Sequence, residues 1–217
     1  MTSRFGKRDN KPSGEQYMQY NLKKGICLIL AFAMTLTLSA CSGEKSMSEE
    51  NIIQTVAKVE KALMDFDRAT LQNYVKSSTL KTILDLSKNH SQFSALGKVM
   101  FEKLEIEVKS VDKKNKTVTL LVKNRDMSKI AEEFTKDLTK GKSVIQLMAL
   151  LNNDSFLDTS LSKLTAEISE ATVPDNPTEI TVSVEKGKDN LVLNFDEAAE
   201  DAVSGGILTA IKNTVSY

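Results

Sequence analysis

The chain has 217 residues, and its 29 Lys and Arg are balanced by 29 Asp and Glu. That balance excludes a strongly basic nucleic-acid binder as the default reading. At 41% hydrophobic and 27% charged it is neither a disordered chain nor a multi-span membrane protein. One His and two Cys leave little stock for a metal centre or a histidine-dependent enzyme.

The first forty residues read as an address. Lys23 and Lys24 precede an apolar stretch from Gly25 to Leu38, closed by Ser39, Ala40 and Cys41. A basic flank, an apolar run and small terminal residues make a secretory signal. The run is shorter than the roughly 20 apolar residues that a permanent spanning helix needs. Leu38-Ser39-Ala40-Cys41 resembles the bacterial lipobox. That resemblance implies that the Cys41 sulfur receives a diacylglyceryl group carrying palmitate-type chains. It implies cleavage between Ala40 and Cys41, so that Cys41 heads a mature chain held at the cell membrane and facing out of the cytoplasm. Two acyl chains anchor stably where one is marginal. Met18, just before a conventional basic region, is expected as the true start, with residues 1–17 as a long basic prelude being the alternative. The abundance of Lys, Asn and Ile points to a Gram-positive surface.

Removal of residues 1–40 leaves 23 basic and 27 acidic residues, a net charge of −4. Such a chain has no electrostatic reason to bind nucleic acid or anionic lipid. Cys27 leaves with the signal, so the one remaining cysteine is Cys41 and no internal disulfide can form. The core must hold the fold, which is feasible at this size.

Residues 41–48 form a short polar tether, and the remainder reads as one domain over 49–217. Ser46 with Glu49 fits a capping box, and Ser48 is the alternative cap. Ile52, Val56, Val59, Leu63 and Phe66 then recur at helical spacing, predicting a helix over 49–66. Asp67 or Thr70 restarts a helical stretch through Leu71, Tyr74 and Val75, and Thr79 to Leu86 continues helically. Lys88 to Ser91 is a break, and 93–100 is compatible with a further helical face.

The period then changes. Leu104, Ile106 and Val108 alternate with charged residues, as do Val118, Leu120 and Val122 with Thr117, Thr119, Leu121 and Lys123, across a polar turn at 112–116. This predicts a β-hairpin. A second hairpin has Ile180, Val182 and Val184 on one arm, a turn at 186–190, and Leu191, Leu193 and Phe195 on the other. Between the hairpins, at about 126–170, lies a helical insert. Asp126 or Ser128 caps a helix with Ile130, Phe134 and Leu138, closed by Gly141. Residues 143–151 are apolar nearly all round, which predicts a buried helix. Leu157, Leu161, Leu164 and Ile168 form another stripe, ended before Pro174 and Pro177. Asp196 caps a C-terminal helix containing Gly205-Gly206, a pair explained by close packing or by a local break.

The expected class is α+β: N-terminal helices on a curved antiparallel sheet of about four strands, with the insert between two hairpins and a C-terminal helix. Helices followed by such a sheet, behind a lipobox, are similar to the nuclear-transport-factor-two-like (cystatin-like) lipoproteins. The absence of Trp, the helix after the last strand and the long insert depart from that pattern. The fold hosts both enzymes and inert modules, so it does not give function.

Catalytic chemistry is poorly supported. His90 lies in a polar break without a neighbouring acid in sequence. The acids at Asp65/Asp67, Glu132/Glu133 and Glu197/Glu200/Asp201 read as solvated helix surface. No Gly-x-Ser-x-Gly elbow occurs. No cofactor, metal or catalytic residue is expected. The sequence favours a lipid-anchored, non-enzymatic binding or interaction module whose partner is an envelope protein. The alternative is a carrier or sensor of a small apolar ligand, with Ile145, Met148, Leu151 and Phe156 as pocket or lid over the sheet. An enzyme using carboxylates within the fold is the third reading.

Overall fold

The computed structural model describes residues 46–88 and 90–215. The chain divides between Ser42 and Gly43, and all described residues belong to the second unit. The lipobox, the signal and the Met18 start therefore lie outside the described residues.

The first helix of the described residues, α1, spans Glu49–Met64 and is capped by Ser48, whose side chain accepts from the Asn51 N–H. Ser46 instead accepts from the Asn51 side-chain amide, so the alternative cap is the operative one. Its stripe Ile52, Val56, Val59 and Leu63 is buried. The helix stops two residues earlier than its periodicity suggests. Phe66 N–H donates to Leu63 O and Asp67 N–H to Ala62 O, closing a Schellman turn with Phe66 at φ +49°. Glycine is the usual occupant of that left-handed position. Phe66 is held there by its ring, which is buried, stacks on Phe101 at 6.5 Å and fills the space over Gly97.

Asp67 then caps α2 (Arg68–Tyr74) by accepting from the Ala69 and Thr70 N–H groups. Val75 does not continue this helix as expected. With Lys76 it forms a two-residue strand, β1, followed by α3 (Ser78–Leu86) and α4 (Ser91–Phe101). The expected hairpins follow as β2 (Glu105–Asp112) with β3 (Thr117–Lys123), and β4 (Thr178–Lys186) with β5 (Leu191–Asn194). The insert between them holds α5 (Ser128–Thr139), α6 (Val144–Leu151) and α7 (Asp154–Ser169).

The fold is α+β, as expected, on an open sheet of order β1-β5-β4-β3-β2. Four strands are antiparallel; β1 adds a fifth, parallel to β5. A bulge between Val108 and Ser110 shifts the phase of β2 by one residue. Val111 thereby joins Ile106 and Val108 on the face that also carries Val118, Leu120, Val122, Val182, Val184 and Leu193. Helix α1 packs on this sheet through β2 and β5. The opposite face is polar, with Thr119 and Thr181 hydroxyls 3.2 Å apart across neighbouring strands.

The C-terminal segment is two helices, α8 (Glu197–Val203), capped by Asp196, and α9 (Ile207–Val215). The break is at Gly205-Gly206, and both suggested explanations for the pair hold. Their φ values are +62° and +83°, and a Cβ on Gly205 would collide with the carbonyl oxygen of Arg125.

Candidate functional site

Three places could carry function: the space under the sheet, the junction that Gly205 approaches, and the insert helix α6.

Under the sheet the apolar face is closed. Leu120, Leu104, Leu63, Leu71 and Ile52 are each 1% exposed or less and form one continuous core. A cavity of about 60 Å³ persists between α3, α4 and α8, walled by Leu80, Ile83, Met100 and Phe195. That is far below the 300 Å³ of a typical ligand pocket. At its rim the Ser77 hydroxyl donates to Glu200, and the Thr79 N–H donates to the same carboxylate at 3.4 Å. Ser77 also caps α3 by accepting from the Leu80 N–H. The pair ties α8 to the start of α3, and it has no histidine beside it to make the serine a nucleophile.

The junction is built from Asn124 and Arg125, which leave the end of β3 and are 6% and 5% exposed. The Asn124 amide donates to Met100 O at 3.0 Å and Val203 O at 2.8 Å. The Arg125 guanidinium donates to Val99 O at 2.8 Å, Ser169 O at 3.3 Å and the Glu102 carboxylate at 2.9 Å. These carbonyls lie at the C-terminal turns of α4, α7 and α8, where helix ends leave acceptors unpaired. Arg125 holds the Glu102 carboxyl below its ordinary range, first by that hydrogen bond, with charge from Lys103 adding. The pair is a structural pin: its guanidinium is committed to carbonyls and is not free for a ligand.

Beside the junction runs an open groove of about 810 Å³ between the ends of β3 and β4 and the α8–α9 break. Its acids are each engaged. Asp126 accepts from the Ser128 N–H and hydroxyl at 3.1 and 2.6 Å, and Asp201 from the Thr209 N–H and hydroxyl at 2.8 and 2.9 Å. Glu179 pairs with Lys109 and Glu197 with Lys212. The N-terminus of α9, where an anion would bind, is thus occupied by the protein's own Asp201. No cluster of three or more metal-ligating side chains occurs among the described residues.

The other acids expected on solvated helix surfaces are found there. Glu132 pairs with Lys136, Glu133 with Lys129 and Asp65 with Lys61, each one helical turn apart. His90 stands at the start of α4, with Nδ1 3.4 Å from the Asp154 carboxylate and its ring edge-on to Phe93. The Asp154 side chain is mostly exposed, so the two do not form a dry dyad.

The insert departs from expectation. Helix α6 packs against α7 and not over the sheet. Ile145 is 81% exposed, and no described side chain of α6 is buried. The all-round apolar pattern predicted a core helix; the core is already filled by α7, through Leu157, Leu161 and Ile168. Phe156 is half-buried in a shallow groove with Phe134, between α5 and α7. The side chains of Met148 and Leu151 lie outside the described ones. The four residues grouped as a lid thus divide: Ile145 faces solvent and Phe156 faces α5.

Asn124 and Arg125 had not been singled out by sequence. The signal available was a polar pair just past the last strand residue, Lys123, at a place where no Gly or Pro marks a turn.

Comparison with protein-family models, curated proteins and solved structures finds no match to the chain.

Proposed function

We propose that this protein is a lipid-anchored component of a bacterial cell envelope, displayed outside the cytoplasmic membrane as a non-enzymatic interaction module. One observation carries the reading: Leu38-Ser39-Ala40-Cys41 directly after a basic flank and a short apolar run. A sulfur at that place is the chemical requirement for a thioether-linked lipid. The described residues are consistent with an attached domain, since none of their helices is long and apolar enough to cross a membrane. The described domain begins at α1, a few residues after Cys41. Its helices on one side of a mainly antiparallel sheet also suit the resemblance to nuclear-transport-factor-two-like lipoproteins.

The closed core favours an interaction module over a carrier of an apolar ligand. The test is the fate of Cys41 in cells fed a traceable palmitate. Label in the protein and recovery in the membrane fraction are expected, with Cys41→Ser losing both. Unlabelled protein released to the medium would overturn the anchor. Native mass spectrometry of the purified protein tests the carrier reading: a bound mass beyond the Cys41 lipid would support it.

A further inference from the structure

From the surface of the insert, we infer that α6 is a second membrane contact, which lays the domain on the bilayer to which Cys41 holds it. The inference rests on the lipid-anchor reading above. Helix α6 reads Val-Ile-Gln-Leu-Met-Ala-Leu-Leu, with one polar residue. That residue, Gln146, is turned back on its own helix. Its side chain accepts from the Ser143 N–H at 2.8 Å, while Ser143 Oγ accepts from the Gln146 N–H. The capping box thereby satisfies the Ser143 and Gln146 N–H groups, and Gln146 is the one polar residue that α6 carries. Ile145 stands 81% exposed on it. Ala149 is exposed beside it, and Leu147 and Leu150 are half-buried, so every described apolar side chain of α6 is at least partly in solvent, a grouping that marks interaction sites on protein surfaces.

Charge distinguishes lipid from a generic cover. Between Asp137 and Asp154 the only charged residues are Lys140 and Lys142, just before the helix, so its immediate flank is basic although the mature chain is net acidic. Both lysines are exposed, and Lys142 donates to the Asp137 carbonyl. An apolar helix with lysines at one end suits the interface, where the chains of Lys reach up to the headgroups. Eight residues could not hold a protein on a membrane alone. The anchor removes that demand: Cys41 and Ser46 are five residues apart, a span of roughly 18 Å when extended. The domain then meets lipid at an effective concentration on the order of millimolar, where a weak contact suffices to set orientation.

The chain contains no Trp, so Ile145→Trp gives a single reporter at a solvent-facing position. The full chain is expressed in a lipoprotein-processing bacterium. The acyl mass on Cys41 is confirmed, and the protein is reconstituted in vesicles of phosphatidylglycerol and phosphatidylcholine with brominated acyl chains. Thr181→Trp, on the polar sheet face, is the reference. The expected result is about a twofold quenching of the Ile145→Trp indole by brominated lipid, with a blue-shifted emission, and little change at position 181. Equal access of aqueous iodide to both indoles, with Cys41 acylated, overturns the inference and leaves the anchor standing. Shielding from iodide without quenching by brominated lipid assigns α6 to a protein partner and also overturns it. An unacylated Cys41 overturns the anchor and this inference together.

Discussion

At Gly205 two demands coincide: a left-handed backbone and a carbonyl oxygen where a side chain would begin. The first alone is met by Gly141, whose φ is +67° and whose Cβ position is open. The pair therefore separates strain from collision. Gly141→Ala is expected to cost about 1 kcal/mol, and Gly205→Ala about 3 kcal/mol because Arg125 and its bonded carbonyls must also shift. Urea unfolding midpoints at unchanged slope measure both. Glu60 gives a second residue-scale prediction. Burial pushes its carboxyl above the ordinary range, the Ile106 N–H that it accepts at 2.8 Å opposes this, and the Glu105 charge adds to the rise. A raised folded-state pKa contributes stability that is complete below the unfolded value, about 4.3, and is lost as pH rises through the folded one. Glu60→Gln keeps an oxygen for Ile106 and removes the titration. The variant is expected to match the parent at acidic pH and to gain on it toward neutrality, read as Tm against pH. Glu102, held low by Arg125, has the opposite sign: its contribution is present above the unfolded value and lost as pH falls through the folded one.

Among the elements, α9 depends on Asp201, which bridges the α8–α9 break by its carbonyl to Gly206 N–H and its carboxylate to Thr209. Asp201→Ala is expected to fray α9 and cost about 1 kcal/mol, visible as earlier hydrogen exchange over residues 207–214. Helices α6 and α7 should respond in opposite ways. Ile145→Glu is expected to change stability by less than about 0.5 kcal/mol, whereas Leu157→Ala, 3% exposed, should cost about 3 kcal/mol. A large loss at Ile145 would return α6 to the core. Both hairpins were legible because alternation over several residues has one physical explanation, a sheet with one dry face. The caps at Asp67 and Asp196 were legible because a short acceptor before an apolar stripe satisfies local N–H groups. What escaped was set at long range. β1 has two residues, too few for any period, and exists because β5 offers it partners. The exposure of α6 was hidden since apolar composition does not reveal whether the core has room left. Arg125 carried no local signal, for its acceptors lie at the ends of two separate helices, α4 and α7.

For the whole described domain, one core runs from Ile52 in α1 to Val203 in α8 without an apolar seam. The expected behaviour is a single cooperative transition, with far-ultraviolet dichroism and tyrosine fluorescence coinciding on heating, and no change on adding reductant since residues 46–215 contain no Cys. Two separated transitions would instead make the insert an independent unit. The parallel pairing of β1 with β5 has a consequence for biogenesis. Val75 and Lys76 meet Leu193 and Asn194 only after nearly all of the chain between them has been delivered. A ribosome or an export channel delivers residues in order, so the first helices must wait, half-assembled, for a strand close to the end. Contacts this distant in sequence form slowly. If the chain is exported as proposed above, a sheet that cannot be finished early keeps it threadable until that strand has passed through the pore.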